Sequence, residues 1–348
     1  MIIKNTNLII GELESGKTRG ICFPEIKKVI NEEKNLFILD NKEEYYPRFK
    51  EELESNGYKT WIINLRKPLK SNGFNILHYP YLLYKNKHSD EAVNLIVSIA
   101  NNICVSNPED FWENSSRDYL ASLILILFEN FQEEEINFMN LGILVQMLDT
   151  ENEAEKLKNY FKRLNVTDTI YRLGSTTIFA PSETRGGIIS TLKYKINAFF
   201  NREEILKILS INELDINNMD KKVAIFFEGK EGLNGVANIL IDQLIMANNN
   251  LKTEFIFMLD NFNSLPKLAN IEELTEYASL NKIKTYFITN CLEELKDLYG
   301  KYTFEKIANK INIKDISDLK IDQITNKVVY PSRPAISLKK IDTEVLNK

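Results

Sequence analysis

Gly11 and the run Gly16-Lys17-Thr18 stand four residues apart in the stretch NLIIGELESGKTRGI, from Asn7 to Ile21. Glycines at that spacing let the backbone turn tightly enough for successive N–H groups to converge on one anion. A lysine directly after the second glycine reaches β- and γ-phosphates, and a threonine hydroxyl after it can sit on Mg2+. Ser15 belongs to the same cradle. The apolar run before Gly11 predicts a strand over Asn7–Ile10, and the residues from Lys17 to about Val29 predict a helix, with Pro24 as a potential kink in its second turn. That helix would aim its positive N-terminus at the bound anion. The pattern G-x-x-x-x-G-K-[ST] between strand and helix therefore predicts a P-loop that binds ATP and Mg2+ through Gly11, Ser15, Gly16, Lys17 and Thr18. Glu12 and Glu14 are unusual in a loop built for anions. They would weaken triphosphate binding if they faced the site, and have little effect if they faced solvent.

A P-loop needs an acid at the end of another strand to hold Mg2+ through water, often followed by a glutamate that orients the attacking water. The run FIFML ends in Asp260, which is expected to take the magnesium role with Thr18; a strand-end aspartate that only caps its loop is the plainer alternative. Asn261 follows. An asparagine can hydrogen-bond a water but cannot take its proton at neutral pH.

The elements that must position these residues fall in a recognisable order. Asn35–Leu39 and Thr60–Leu65 are continuous apolar runs, as strands buried on both faces of a parallel sheet are, with a helix over Tyr46–Ser55 between them. Helix patterns then dominate from about Asp90 to Asn201: Glu91–Ile103, Phe111–Phe128, Asn140–Leu148, Glu153–Leu164 and Gly187–Phe200, with Ser182–Gly187 as a short polar junction. Strand patterns return at Val223–Phe227, Phe255–Leu259 and Thr285–Thr289, alternating with helices over Gly235–Asn248, Ile271–Leu280 and Leu292–Tyr299. From Tyr302 onward the chain is lysine-rich and reads as an irregular end. The expectation is an α/β fold: a doubly wound nucleotide-binding domain with a largely parallel sheet (residues 1–77 and 202–310), interrupted by an all-helical domain (78–201) and followed by a short segment (311–348), the RecA-like arrangement that the family resemblance described below implies.

Composition excludes several other classes. The 348 residues carry a net charge of -5, which argues against a large uniform nucleic-acid-binding surface. Cys22, Cys104 and Cys291 lack metal-ligand spacing, and His78 and His88 are the only histidines, so a zinc site is not expected. The longest apolar run, Leu120 to Phe128, is too short to span a bilayer, and no signal peptide is present, so a cytoplasmic protein is expected.

The order of motifs resembles the TraG/TraD-type coupling ATPases of conjugation and type IV secretion over nearly the whole chain. FILDNKEEYYPRF is similar to that family's D-P-K-G-E-x-Y segment, keeping Asp40, Lys42, Glu44 and a tyrosine but with Asn41 and Glu43 in place of Pro and Gly. GYKTWIINLRKPLKSNGFNIL resembles its next strand and N-P-L turn, FWENSSRDYLASLILILFE its F-W-x-x-S/A helix, and SETRGGIISTL the return to the sheet. FIFMLDNFNSLPKL resembles L-D-E-F-x-x-L-x-K-L, and FITNCLEELKDLYG resembles Q-S-x-x-Q-L-x-x-x-Y-G. The resemblance implies a hexamer that uses ATP to pass single-stranded DNA or protein, received from a relaxosome or effector, into a secretion channel at the inner membrane.

The departures are in the hydrolytic set. The family's catalytic glutamate falls on Asn261 and its glutamine on Asn290. Its arginine-finger segment falls on Ala278 to Lys282, where no arginine stands. An in-trans arginine contributes roughly 10³–10⁵ in rate in related enzymes, so the resemblance implies ATP binding with weak or lost hydrolysis. The family's N-terminal membrane anchor is expected to have no counterpart and its C-terminal strand to be shortened after Asn309, so that recruitment to the inner face of the membrane would need a partner. Asp40, Glu44 and Arg185 are auxiliary candidates, Arg185 as a replacement phosphate or partner contact or as a structural hydrogen-bond donor. Three functions stay open: a working coupling ATPase, a non-hydrolysing nucleotide-binding scaffold or regulatory subunit of the same homo- or hetero-oligomer, and a double-stranded DNA translocase or other P-loop protein.

Overall fold

Seven strands pair into one sheet in the computed structural model, which describes residues 5–12, 14–104, 110–148, 151–219, 222–248, 254–268, 271–272, 275, 283–316, 320–321 and 328–329. The strands are β1 (Thr6–Ile10), β2 (Asn35–Leu39), β3 (Lys59–Asn64), β4 (Val223–Glu228), β5 (Phe255–Leu259), β6 (Ile283–Thr289) and β7 (Asn312–Asp315). Their spatial order is β3-β4-β2-β5-β6-β1-β7, and every pairing is parallel. β2, β4 and β5 are buried along their whole length, as strands covered on both faces must be.

Alternation along the strands divides the core in two. Leu8, Phe37, Leu39, Phe255 and Phe257 face one side. Ile9, Leu36, Ile38, Ile256 and Met258 face the other, packed with Ile26, Tyr45 and Phe49. That second layer comes from α1 (Phe23–Asn31) and α2 (Tyr45–Ser55), the helices that follow β1 and β2.

Between β3 and β4 the described chain is helical: α3 (His78–Lys85), α4 (Ser89–Ile103), α5 (Phe111–Asn130), α6 (Phe138–Met147), α7 (Glu151–Phe161), α8 (Thr169–Ile178), α9 (Ser182–Phe200) and α10 (Glu203–Ile208). α5 is central and touches α4, α6, α8 and α9. Asp110 caps it by accepting from the Glu113 N–H at 3.0 Å. The buried hydroxyls of Ser116 and Ser122 on α5 donate to the carbonyls of Ile188 at 3.0 Å and Ile170 at 3.2 Å, which ties α9 and α8 to it. α4 also packs on α11 (Gly235–Asn248), the helix after β4.

Several expectations change. The polar junction Ser182–Gly187 is the first turns of α9, opened by Pro181, rather than a loop. α3, α8 and α10 lie outside the helices expected from the sequence. The tail is not irregular at its start: Lys301–Ala308 is a helix and β7 pairs with β1, Asn7 opposite Asn312. Those residues look polar because β7 is an exposed edge strand. The helix expected over Ile271–Leu280 lies mostly outside the described residues.

Candidate functional site

Because all seven strands run the same way, their C-terminal ends gather at one edge, where parallel sheets collect ligands. Gly11, Asp40, Asp260 and Asn290 follow β1, β2, β5 and β6 there. β6 lies between β1 and β5, so the phosphate loop and Asp260 are two strand spacings apart, roughly 10 Å. Side chains from Lys17 and Thr18 span that gap.

The loop has the geometry its sequence requires. Gly16 sits at φ 85°, in the left-handed region, and the Gly20 N–H donates back to the Gly16 carbonyl at 2.7 Å. A Cβ on Gly11 would lie 2.5 Å from Ser15 Oγ and 2.9 Å from Ile316 Cγ1. The helix that follows opens as a π-turn over Thr18–Cys22, with the Phe23 N–H donating to the Thr18 carbonyl, and becomes α1 only at Phe23. Pro24 explains the widening. It has no N–H, and its ring would strike the carbonyl four residues back in a regular α-turn. The expected kink is thus a π-turn directly after the loop. The Glu12 and Glu14 side chains are both exposed, and Glu14 takes a left-handed φ of 64°.

Lys17 is 8% exposed. Its Nζ donates to the Gly11 carbonyl, to the Glu12 carbonyl at 2.8 Å and to Asn290 Oδ1 at 2.9 Å. Burial lowers its pKa, the Asp260 carboxylate opposes that, and Lys42 adds to it. Asn290 is therefore a direct partner of the phosphate-loop lysine.

Asp260 Oδ2 accepts from Thr18 Oγ1 at 3.4 Å and from the Tyr45 hydroxyl at 2.8 Å. Asp40, fully buried, has another task. Its Oδ1 accepts from the Glu44 N–H at 2.8 Å, and its Oδ2 from the N–H groups of Tyr45 at 3.0 Å and Tyr46 at 3.1 Å. Three such donors cap the start of α2. Burial pushes the Asp40 carboxyl upward while those N–H groups pull it down. Glu44 contributes its main chain, and its side chain is exposed.

Asn261 adopts φ 58°, ψ 48°, the left-handed conformation, and leads into a 3₁₀ turn over Phe262–Ser264. Asparagine tolerates that conformation better than glutamate does, a conformational reason for its presence beside Asp260. Arg185 lies in the second turn of α9, where its charge acts on Tyr119 of α5. No hydrogen bond or ion pair joins it to the phosphate loop among the described residues. The arginine-finger positions, Ala278 to Lys282, lie outside the described residues.

Two features escaped the sequence. Glu228, at the end of β4 and 4% exposed, accepts from the Asn64 amide; burial, then the carboxylates of Glu43 and Asp40, push its carboxyl up to about 7, against Lys67 and Arg66. A strand-end glutamate carries no signal for this without knowledge that β3 and β4 are neighbours. A cavity of about 750 Å³, lined in part by Asn102, Lys195, Asn197, Asn234, Ser264 and Pro266, opens between α9 and the turn after Asp260. It does not contain the phosphate loop. Ser264 ties the cavity wall to the end of β2, accepting from Asn41 at 2.8 Å through Oγ and from Asn234 at 2.9 Å through its carbonyl.

The donor set fits a nucleotide with Mg2+. Ser15 Oγ is buried without a hydrogen-bond partner, Lys17 is held between neutral acceptors and one amide, and Thr18 and Asp260 offer hard oxygens side by side. A RecA-like α/β fold with this loop defines a P-loop protein. The chain belongs to the family described as "Type IV secretory system Conjugative DNA transfer", whose model matches residues 5–314. Among solved structures, the plasmid coupling protein TrwB in complex with the non-hydrolysable ATP analogue ADPNP superposes with a TM-score of 0.61 at 13% identity, over 88% of this chain and 69% of that one. TrwBΔN70 in its trigonal form with sulphate gives 0.63 at 12%, over 90% and 70%. VirB4 of Thermoanaerobacter pseudethanolicus gives 0.52 at 9%, over 89% and 76%. These likenesses establish the fold. No curated protein matches the chain significantly.

Proposed function

We propose that this protein binds ATP with Mg2+ at the sheet edge and couples it to delivery of a single-stranded DNA or protein substrate to a type IV secretion channel. The observation that carries this reading is the convergence of Lys17, Thr18, Asp260 and Asn290, which come from three separate strand ends. In it, the loop N–H groups and Lys17 hold phosphates, Ser15 adds its hydroxyl, and Thr18 and Asp260 hold Mg2+, which would neutralise phosphate charge. Asn290 keeps Lys17 oriented. Residues 78–201 form an inserted helical unit between the halves 1–77 and 202–310, and the chain works in a homo- or hetero-oligomer recruited to the inner face of the membrane. No helix among the described residues is long and apolar enough to cross a bilayer, so recruitment would pass through secretion or relaxosome partners or through segments outside the description.

Hydrolysis is weak or absent in this reading, because Asn261 supplies no base and Arg185 is held in the helical region. A non-hydrolysing scaffold or regulatory subunit is the second form of the same reading, favoured by the left-handed turn that suits Asn261. ATP binding and steady-state hydrolysis, measured with and without single-stranded DNA beside Lys17→Ala, test both. The expected result is binding that Lys17→Ala abolishes, with turnover no higher than in that variant. Turnover abolished by Lys17→Ala would refute weak hydrolysis, and no binding by the native chain would refute the nucleotide reading.

A further inference from the structure

The phenol of Tyr45 reaches the magnesium aspartate from a helix that otherwise belongs to the sheet's packing. It is 1% exposed, and its hydroxyl donates to Asp260 Oδ2 at 2.8 Å. Its position is fixed from both ends. The Tyr45 main-chain N–H is held by buried Asp40 at 3.0 Å. The ring meets Phe23 edge-on, with centroids 5.6 Å apart, and packs in the apolar layer with Ile26 and Phe49. The Cys22 thiol, from the π-turn after the phosphate loop, lies against the same hydroxyl. In this pair the phenol hydroxyl is the donor and the carboxylate oxygen the acceptor.

We propose that Tyr45 is a positioning residue for Mg2+ binding, an inference that rests on the nucleotide reading above. Both hydroxyls that reach Asp260 fall on Oδ2. The Thr18 contact is long, and Thr18 is the hydroxyl that can turn to a metal. The Tyr45 contact is short and comes from a ring that cannot swing. Tyr45 therefore fixes the rotation of the carboxylate, leaving Oδ1 to meet metal-bound water in one orientation. A charge-assisted bond in a dry setting is among the stronger hydrogen bonds. A continuous path results: Asp40 sets the Tyr45 backbone, Tyr45 sets Asp260, and Asp260 meets Thr18 of the phosphate loop. Carboxylates at metal sites depend on such outer partners, whose loss typically costs 10–100-fold in metal affinity.

The test is a Mg2+ titration of binding at a fixed concentration of fluorescent ATP analogue, repeated for the metal-free analogue in EDTA. Tyr45→Phe is expected to raise the half-saturating Mg2+ by about 10–100-fold while changing metal-free affinity by less than about twofold. Placing 4-aminophenylalanine at position 45 returns a donor and is expected to restore much of the loss. Cys22→Ala, which removes the thiol but leaves the bond to Asp260, is expected to keep the native Mg2+ dependence. An unshifted Mg2+ curve in Tyr45→Phe would overturn the proposal. So would equal losses with and without metal, or a shift that the amino group fails to reverse. If Tyr45→Phe does not fold, the 4-aminophenylalanine protein decides by the same curve: native Mg2+ dependence supports the donor role, and a dependence shifted as far as loss of a donor predicts overturns it. Absence of nucleotide binding by the native chain overturns the nucleotide reading and this proposal together, whereas native binding indifferent to Mg2+ overturns this proposal alone.

Discussion

Glu228→Gln is expected to stabilise the protein, and to do so only as pH rises. Glu228 is buried at the end of β4 opposite Asn64, its register partner on β3, whose amide donates to it. Burial pushes the carboxyl from 4.5 to about 7; Glu43 and Asp40 add to that, while Lys67 and Arg66 oppose it. A folded-state pKa above the unfolded one means that stability is fully present below the unfolded value and is lost as pH rises through about 7. At about 1.4 kcal/mol per pH unit, the loss is on the order of 3 kcal/mol by pH 8 and about 1 kcal/mol or less at pH 5. Glutamine has nearly the same shape, can accept from Asn64, and never ionises. Glu228→Gln should therefore melt close to the native protein at pH 5 and higher at pH 8, by roughly 5 °C or more at about 2 °C per kcal/mol for a chain of this size. Thermal melts of both proteins across pH 5 to 8 measure it, and taking the difference cancels the other carboxylates. A gap that is constant with pH, or that closes toward pH 8, would refute the reasoning.

Other outcomes follow from the same geometry. Gly11→Ala places a Cβ 2.5 Å from Ser15 Oγ and 2.9 Å from Ile316 Cγ1, so the loop must shift. Overpacking of this kind costs about 1–3 kcal/mol, and nucleotide affinity should fall by about tenfold or more in a binding titration; unchanged affinity would contradict the cradle assigned to Gly11. Burial pushes the thiols of Cys22 and Cys104 up to about 12, whereas Cys291 is half-exposed. A thiol reagent at pH 8 should label one cysteine quickly and the other two only on unfolding, and rapid labelling of more than one would show that the region around Cys22 or Cys104 opens readily.

The phosphate loop, Asp260 and the buried strands were legible because each is a local pattern: a fixed glycine spacing, or an apolar run closed by an acid. The fold class followed from the alternation of such runs with helices. Strand order did not, because pairing partners are chosen by packing across hundreds of residues and leave no mark on local spacing. Only the order β5-β6-β1 puts Asn290 against Lys17, and only the adjacency of β3 and β4 buries Glu228 beside Asn64. β7 was hidden because an edge strand has one neighbour and need not be apolar. α8 is a short helix of 10 residues with an apolar face, and that face is held by packing on α5. Tyr45 looked like any tyrosine at the start of a helix, and Arg185 like any arginine in a polar segment. The sequence by itself determined which groups can hold a phosphate, because that chemistry is built within one loop. The tertiary structure decided which side chains serve that loop, bringing Tyr45 to Asp260 and placing Arg185 on α9, which packs on α5, because their placement depends on how whole helices pack.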